Sequence, residues 1–417
     1  MDSCALDTVI VLNDFCHVQG GASKVAIDEA VALSEGGADV IFLGAVGPVC
    51  DALRDARLRV VCLDQPELAD VARHPRAALR GLWNRAAGAA LEEVLKTLDP
   101  RRCIVHLHGY TKALTAGPAL AAKHAGFRTV CTLHDFFAAC PNGAFYDYRR
   151  QLPCPLVALS PACIATPCDK RHQVHKAYRV ARGIVQRHLT QFPGSVRDYI
   201  TLSRRSAELL RRYLPQDAAF YPLDNIIDAP HAPPVDVAAN HSLLVVGRLE
   251  AEKGVTLAAA AARQAEWPIM FAGEGPQRGE VEAMGASVTG WISSDQVWQQ
   301  LAQARCLVFP SRWYETFGLV VSEAAALGVP ALVSDISAAA ERVTGGVTGW
   351  TFRSGDQADL VRAMSMLRDD AAVRAAGDAA WQKFWSSPPD RQHHTSELLS
   401  IYARVLARDR ISTDRAA

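Results

Sequence analysis

The sequence has no apolar run near the ~20 residues that a membrane-spanning helix requires. Its opening, MDSCALDTVIVLND, lacks the basic stretch and apolar core of a secretory leader, so the expectation is a cytoplasmic protein. Neither sign of charge is in excess: 44 Lys+Arg balance 44 Asp+Glu, and no global field advertises nucleic acid as a partner. Charged residues make up only 21% beside 49% hydrophobic, which excludes a disordered chain. A disulfide framework is not expected in a reducing compartment, and the eleven cysteines are an odd number. Four of them, Cys62, Cys103, Cys131 and Cys306, sit inside apolar strand-like runs and read as buried small apolar residues.

What is present is enough chain, 417 residues, for two ordinary domains with separate cores. The runs DTVIVLN, ADVIFLG, RCIVHLHG and RTVCTLHD read as strands, with helical patterns such as KVAIDEAVALSE between them. HSLLVVG, PIMFAGEG, ARCLVFPS and PALVSD repeat the pattern in the second half. Near-continuous apolar strands alternating with helices indicate parallel sheets covered on both faces. The Pro/Ala-rich stretch 228–240, DAPHAPPVDVAAN, is the natural linker. It divides an N-terminal domain, 1–227, from a second domain, 241–385, followed by a helical segment, 386–417. The expected architecture is α/β: two Rossmann-like, doubly wound parallel-sheet domains facing a central cleft. Ligands bind at the C-terminal edges of such sheets.

In the second half, YETFGLVVSEAAALGVP follows a strand and should begin a helix near Phe317 that stops at Gly328. Amides of Phe317, Gly318 and Leu319 at that helix start would attract an anion, and Gly318 would let it approach closely. Glu315 and Glu323 are eight positions apart, about 12 Å of helix rise. They are spaced to hold different parts of one extended ligand, although an isolated pair of this kind is ordinarily surface decoration. Arg248 and Lys253 in VVGRLEAEKG suit a pyrophosphate, Arg bidentately, and FAGEGP is a second strand running into a glycine turn. Trp291 and Ile292 precede a capped helix where backbone groups could read a flat base.

These four segments, in this order and spacing, resemble the C-terminal domain of the retaining family four (group 1) glycosyltransferases of the GT-B fold. The resemblance is strong over about 242–352 and weaker over 8–45 and 103–137. It implies that Glu315 meets the donor hexose and Glu323 the nucleotide ribose. It also implies that Arg248 and Lys253 bind the diphosphate, and that Gly273, Glu274, Trp291 and Ile292 lie near the nucleoside. Gly20 and Gly21 in VQGGAS match the family's glycine loop near donor phosphate or acceptor. His134 of TLHD matches a histidine close to the reacting sugar, and His108 of HLHG is the corresponding acceptor-side candidate. A strand-end histidine is commonly structural, and this reading stays beside the functional one.

The implied reaction moves a hexosyl group from a nucleoside-diphosphate sugar to the hydroxyl of a saccharide or lipid-linked saccharide, with retention of configuration. No metal or cofactor is expected for catalysis. Bacterial surface polysaccharide or glycolipid assembly is the expected setting. A nucleotide-sugar 2-epimerase and a catalytically idle nucleotide-binding module are the alternative readings.

Two segments remain. An insertion at about 140–168 carries Cys140, Cys154, Cys163 and Cys168. Such thiols bind structural Zn²⁺ or an iron–sulfur cluster, yet the C-x13-C-x8-C-x4-C spacing matches no standard finger. Partly buried thiols or a single disulfide remain open. The basic helix DKRHQVHKAYRVARGIVQRHL is either a solvated face over a core-packed stripe or a contact for an anionic membrane surface.

Overall fold

A computed structural model describes residues 6–67 and 75–413. It forms two compact units. The first comprises residues 1–143, 156–226 and 389–417, and the second residues 144–155 and 227–388. The four-cysteine insertion is therefore divided, with Cys154 in the second unit.

Unit 1 is built on strands β1 (Thr8–Phe15), β2 (Asp39–Val46), β3 (Arg59–Cys62), β4 (Cys103–Leu107) and β5 (Arg128–Thr132). The short hairpin β6 (Tyr146–Asp147) and β7 (Leu152–Pro153) belongs to unit 2. Unit 1 resumes with β8 (Asp198–Thr201) and β9 (Ala219–Pro222). Its seven strands run in the order β3-β2-β1-β4-β5-β8-β9, all parallel. Direction of winding reverses between β1 and β4, which makes their C-terminal ends the switch point where such sheets open. Every residue of β1 is buried, the signature of a central parallel strand covered on both faces.

Unit 2 repeats the design with β10 (Ser242–Val246), β11 (Ile269–Ala272), β12 (Ser287–Gly290), β13 (Ala304–Phe309), β14 (Ala331–Ser334) and β15 (Gly349–Phe352). The order is β12-β11-β10-β13-β14-β15, again parallel throughout. The switch point lies between β10 and β13. Leu243, Leu244, Phe271, Leu307 and Val308 form its core against the helices Val255–Gln264 and Gln357–Met366.

The last helix, Arg391–Thr413, belongs to unit 1, where Leu398, Ile401, Tyr402 and Val405 join the core of β1 and the helix Gly21–Glu35. Among the described residues no helix is long and apolar enough to cross a membrane. The ten described cysteines are free thiols. Cys103, Cys131 and Cys306 are buried as expected, whereas Cys62 is half-buried because β3 is an edge strand.

Candidate active site

The site in unit 2 is assembled where β10, β11 and β13 end. Gly247 leaves β10, and Arg248 and Glu250 precede a tight turn, Ala251–Lys253, closed by Gly254. Gly254 has φ +69°, and a Cβ there would lie 2.1 Å from the Pro310 carbonyl oxygen. Only glycine lets the β10 loop lie so close to the loop leaving β13. The Arg312 amide donates to the Glu252 carbonyl at 2.8 Å, locking the two loops together.

This contact carries Lys253 to Glu315. The Lys253 Nζ is 2.6 Å from Glu315 Oε1. The same oxygen accepts from Ser311 Oγ at 2.7 Å and Trp313 Nε1 at 2.8 Å. The Trp313 ring centroid is 5.4 Å from the ammonium, so the cation also faces a π surface. Glu315 has φ +53°, a left-handed conformation rare outside glycine and characteristic of constrained sites. Three donors on one oxygen fix the carboxylate and leave Oε2 outside that set.

The helix after Glu315 spans Leu319–Ala326, two residues later than expected. The reason is Gly318, whose φ of 95° and ψ of 58° are left-handed and cannot continue an α-helix. Phe317 is buried, with the Arg342 guanidinium 4.0 Å from its ring centroid. Glu323 is half-buried within the helix. Arg248 is turned to its own loop: Nη1 is 2.6 Å from Glu250 Oε2 and Nη2 is 3.8 Å from Glu252 Oε1. Gly273 ends β11, where a Cβ would meet the Gly247 carbonyl oxygen at 2.0 Å. Glu274 receives Arg278 at 2.7 Å. Trp291 is 81% exposed, Ile292 packs on the core, and Ser293 and Gln296 form the expected capping box.

In unit 1, Gly20 (φ +125°) caps the helix Gly21–Glu35 at the end of β1, and both glycines are exposed. His134 follows β5 and is half-buried, while His108 follows β4 and is 2% exposed. His108 therefore does not offer a ring to ligand directly; its Nδ1 is 2.9 Å from His134 Nε2. Burial, and then the neighbouring His108, hold the His134 imidazole well below its usual pKa, so it is neutral. Sequence reasoning missed what surrounds these rings: Glu29, His106, His394 and Tyr402. The available signals were the acid pair Asp28 and Glu29 among apolar residues in AIDEAVAL and the strand pair His106 and His108. Asp14 was also missed. Its carboxylate accepts from the amides of Lys112, Ala113 and Leu114, each at 2.8 Å, and shapes the loop after β4.

Asp135, next to His134, is pushed up to about 6 by burial, against an ordinary 3.8. The folded state then binds this proton more tightly than the unfolded one. The group favours folding below about pH 4, and that contribution fades as pH rises through 6. At pH 8 the buried carboxylate costs up to ~3 kcal/mol. Asp135→Asn, which can still accept from the Phe137 amide now 2.9 Å from Oδ1, should raise stability at pH 8. The gain should shrink to nothing by pH 4, as read by urea unfolding at both pH values.

Cys140, Cys163 and Cys168 do not form a group of ligand atoms within 4.8 Å of one another. Cys140, Cys163 and Cys168 are buried, and the only described group whose ligand atoms all fall within 4.8 Å is Glu29, His106 and His108. Lys176, 4% exposed, has its ammonium 3.2 Å from Cys168 Sγ and 3.7 Å from Cys163 Sγ. Cys140 Sγ is 3.0 Å from Asn142 Oδ1. The basic helix also departs from expectation. It spans Gln173–His188, yet Val174 and Ile184 are exposed, and Arg182 donates to the Thr111 carbonyl at 2.7 Å. Lys176 turns inward because the sulfurs compensate its burial, which displaces part of the apolar stripe.

Residues 240–370 match the family model described as Glycosyl transferases group 1. Glycogen synthase of Mycobacterium tuberculosis is 37% identical over 158 residues, covering 34% of this chain and 38% of that protein. The GDP-mannose-dependent alpha-mannosyltransferase of Corynebacterium glutamicum is 28% identical over 169 residues, 39% of each chain. The chain thus spans about 38% of the length of the first curated relatives it matches. Among solved structures, sucrose-phosphate synthase from Thermosynechococcus elongatus superposes with a TM-score of 0.66 at 17% identity, over 96% of this chain and 100% of that one. Anabaena HepE in complex with UDP and glucose gives 0.63 at 15%, over 95% and 100%. These likenesses establish the GT-B fold, and residues 240–370 are the part of the chain that matches the group 1 glycosyltransferase model.

Proposed function

We propose that the chain is a retaining glycosyltransferase that moves a hexosyl group from a nucleoside-diphosphate sugar to an acceptor hydroxyl in surface polysaccharide or glycolipid assembly. One observation carries the reading: Lys253 and Glu315 are bonded at 2.6 Å three residues before Gly318 starts the helix, inside the segment that matches the family. A cation, a fixed carboxylate and a helix start in one place suit a sugar whose leaving group is a diphosphate. Lys253 and Arg248 take the charge that forms on the departing phosphate, and no metal ion is needed for that step. Arg248 exchanges Glu250 for phosphate when the donor binds. Glu315 holds the hexose hydroxyls, Glu323 the ribose, and the loops at Gly273, Glu274, Trp291 and Ile292 the nucleoside. His134 meets the transferred sugar. HepE has been solved with UDP and with UDP-glucose, which favours a uridine nucleotide as the first donor to try.

The test is a thermal-shift screen of UDP-, GDP-, ADP- and dTDP-sugars, followed by transfer assays with the donor that binds. A donor at 100 times its dissociation constant should add about 2.7 kcal/mol. The reading fails if no nucleotide sugar stabilises the protein. Conversion of the donor without any acceptor would instead indicate an isomerase.

The acceptor in this reading is a saccharide or lipid-linked saccharide, met at an anionic membrane surface. Exposed Lys170, Arg171 and Arg187 beside exposed Val174 and Ile184 support that contact. Co-sedimentation with liposomes containing anionic lipid should exceed that with zwitterionic liposomes and should fall as salt rises.

A further inference from the structure

His106 and His108 are two residues apart on and just beyond β4, so both rings point to one face of the sheet. The helix Gly21–Glu35 lays Glu29, 2% exposed, against that face, and the helix Arg391–Thr413 adds His394 and Tyr402. Glu29 Oε1 is 2.8 Å from His106 Nδ1 and 3.3 Å from His108 Nε2, and Oε2 is 3.3 Å from His394 Nε2. His108 continues outward, with its Nδ1 2.9 Å from His134 Nε2.

Resting on the reading of His134 as a residue that meets the sugar, we propose that Glu29 and His108 are positioning residues. Together they hold His134 in the tautomer protonated on Nε2, so that Nδ1 accepts a hydrogen bond from a hydroxyl of the transferred sugar.

The proton positions follow from what each neighbour can do. His394 Nδ1 is 2.7 Å from the Asp224 carbonyl oxygen, which only accepts, so that nitrogen carries hydrogen. Its Nε2 faces the Glu29 carboxylate and must donate too, which makes His394 an imidazolium. Burial opposes this charge, but Glu29 outweighs burial and holds the His394 pKa above its usual value. Glu29 is held well below the carboxylate range: burial alone would raise it, and the ring N–H groups of His106 and His108 that face Oε1 reverse that. The carboxylate is therefore ionised and balanced by one cation.

The other two rings need no further charge. Burial pushes His106 down to about 4, so it is neutral, and its ring bridges Tyr402 Oη at 2.6 Å and Thr132 Oγ1 at 2.7 Å. His108 Nε2 lies 3.3 Å from the carboxylate and 3.2 Å from His106 Nδ1. A bare lone pair there would face an anion in a dry site, so Nε2 carries the hydrogen. His108 Nδ1 is then an acceptor and can only be satisfied by the Nε2–H of His134. One buried charge thus sets the proton on a ring two residues away in the relay. Such second partners decide which nitrogen of a histidine is available for chemistry.

Nitrogen-15 NMR of the full chain with labelled histidine tests the relay without any substrate. Wild-type His134 should show a protonated Nε2 and an unprotonated Nδ1. Glu29→Gln and His108→Phe should both mix the two tautomers. His108→Asn, whose amide oxygen can accept in place of Nδ1, should restore the wild-type pattern. With a donor and acceptor in hand, Glu29→Gln and His108→Phe should lower kcat 10- to 100-fold while the donor KM moves less than threefold. A merely structural role would lower Tm and kcat together and leave the His134 shifts unchanged in variants that fold. His134 protonated on Nδ1 in the wild type would overturn the proposal, as would one equivalent of metal bound by Glu29, His106 and His108 in the purified protein. If the tautomers behave as stated and no nucleotide sugar is ever turned over, the relay stands and the transferase reading falls.

Discussion

Replacing Lys253 by alanine should lower kcat/KM for sugar transfer roughly 100-fold, about 3 kcal/mol of lost transition-state stabilisation. Lys253 is the cation that the fold places deliberately: Gly254 lets its loop lie against Pro310, and the 2.6 Å contact with Glu315 holds the side chain in one orientation. In the proposed reaction a preorganised charge costs no reordering when the leaving diphosphate develops its own charge, so most of its value appears in the transition state. The loss should therefore fall mainly on kcat. Arginine is a poor replacement, because its planar fork cannot stand where a compact ammonium sits between Glu315 and the Trp313 ring. Folding should be affected far less, since Glu315 keeps Ser311 and Trp313 as donors. Initial rates and a melting curve on the same preparation check both halves. A variant within threefold of wild type would remove Lys253 from the mechanism and, with it, the main support for the donor site.

The site in unit 2 was legible because its parts are local. Strand, glycine, basic residue and glutamate follow one another within short segments whose spacing is preserved in space by parallel strands β10 and β13. The strands with continuous apolar runs could be read directly. Those missed were β8, β9, β12 and β15, each only four residues long, and the two-residue strands β6 and β7. Partial exposure dilutes the apolar signal in β9, and in β12 with its pattern of exposed and half-buried residues. Buried β8 opens on Asp198, whose carboxylate is paired with Arg408 at 2.7 Å, a partner 210 positions away that no local pattern announces. The cluster around His108 was hidden for the same reason. Glu29, His106, His394 and Tyr402 come from three elements, and only the docking of the last helix on the first brings them together. Helix starts were misjudged where a backbone conformation overrides periodicity, as at Gly318.

A large effect on folding should come from Gly254→Ala. The position combines two penalties. Its φ of +69° is left-handed, which costs an alanine ~1 kcal/mol. The added methyl would also sit 2.1 Å from the Pro310 carbonyl oxygen, a backbone atom that cannot rotate away. Relief requires the β10 and β13 loops to separate, at ~1–3 kcal/mol for overpacking of this kind. The sum is ~3 kcal/mol, or roughly 6–12 °C in the melting of a unit of this size. Gly355→Ala supplies the comparison within the same unit. Its φ is +76°, yet nothing lies closer than 3.8 Å to the new Cβ, so only the conformational penalty of ~1 kcal/mol remains. The difference between the two variants in urea unfolding isolates the steric part. Because the separation also draws Lys253 away from Glu315, Gly254→Ala should weaken donor binding even at temperatures where the protein remains folded, and Gly355→Ala should not. Equal losses of stability in the two variants would mean that the loops part at no cost, and that Gly254 does not set the position of Lys253.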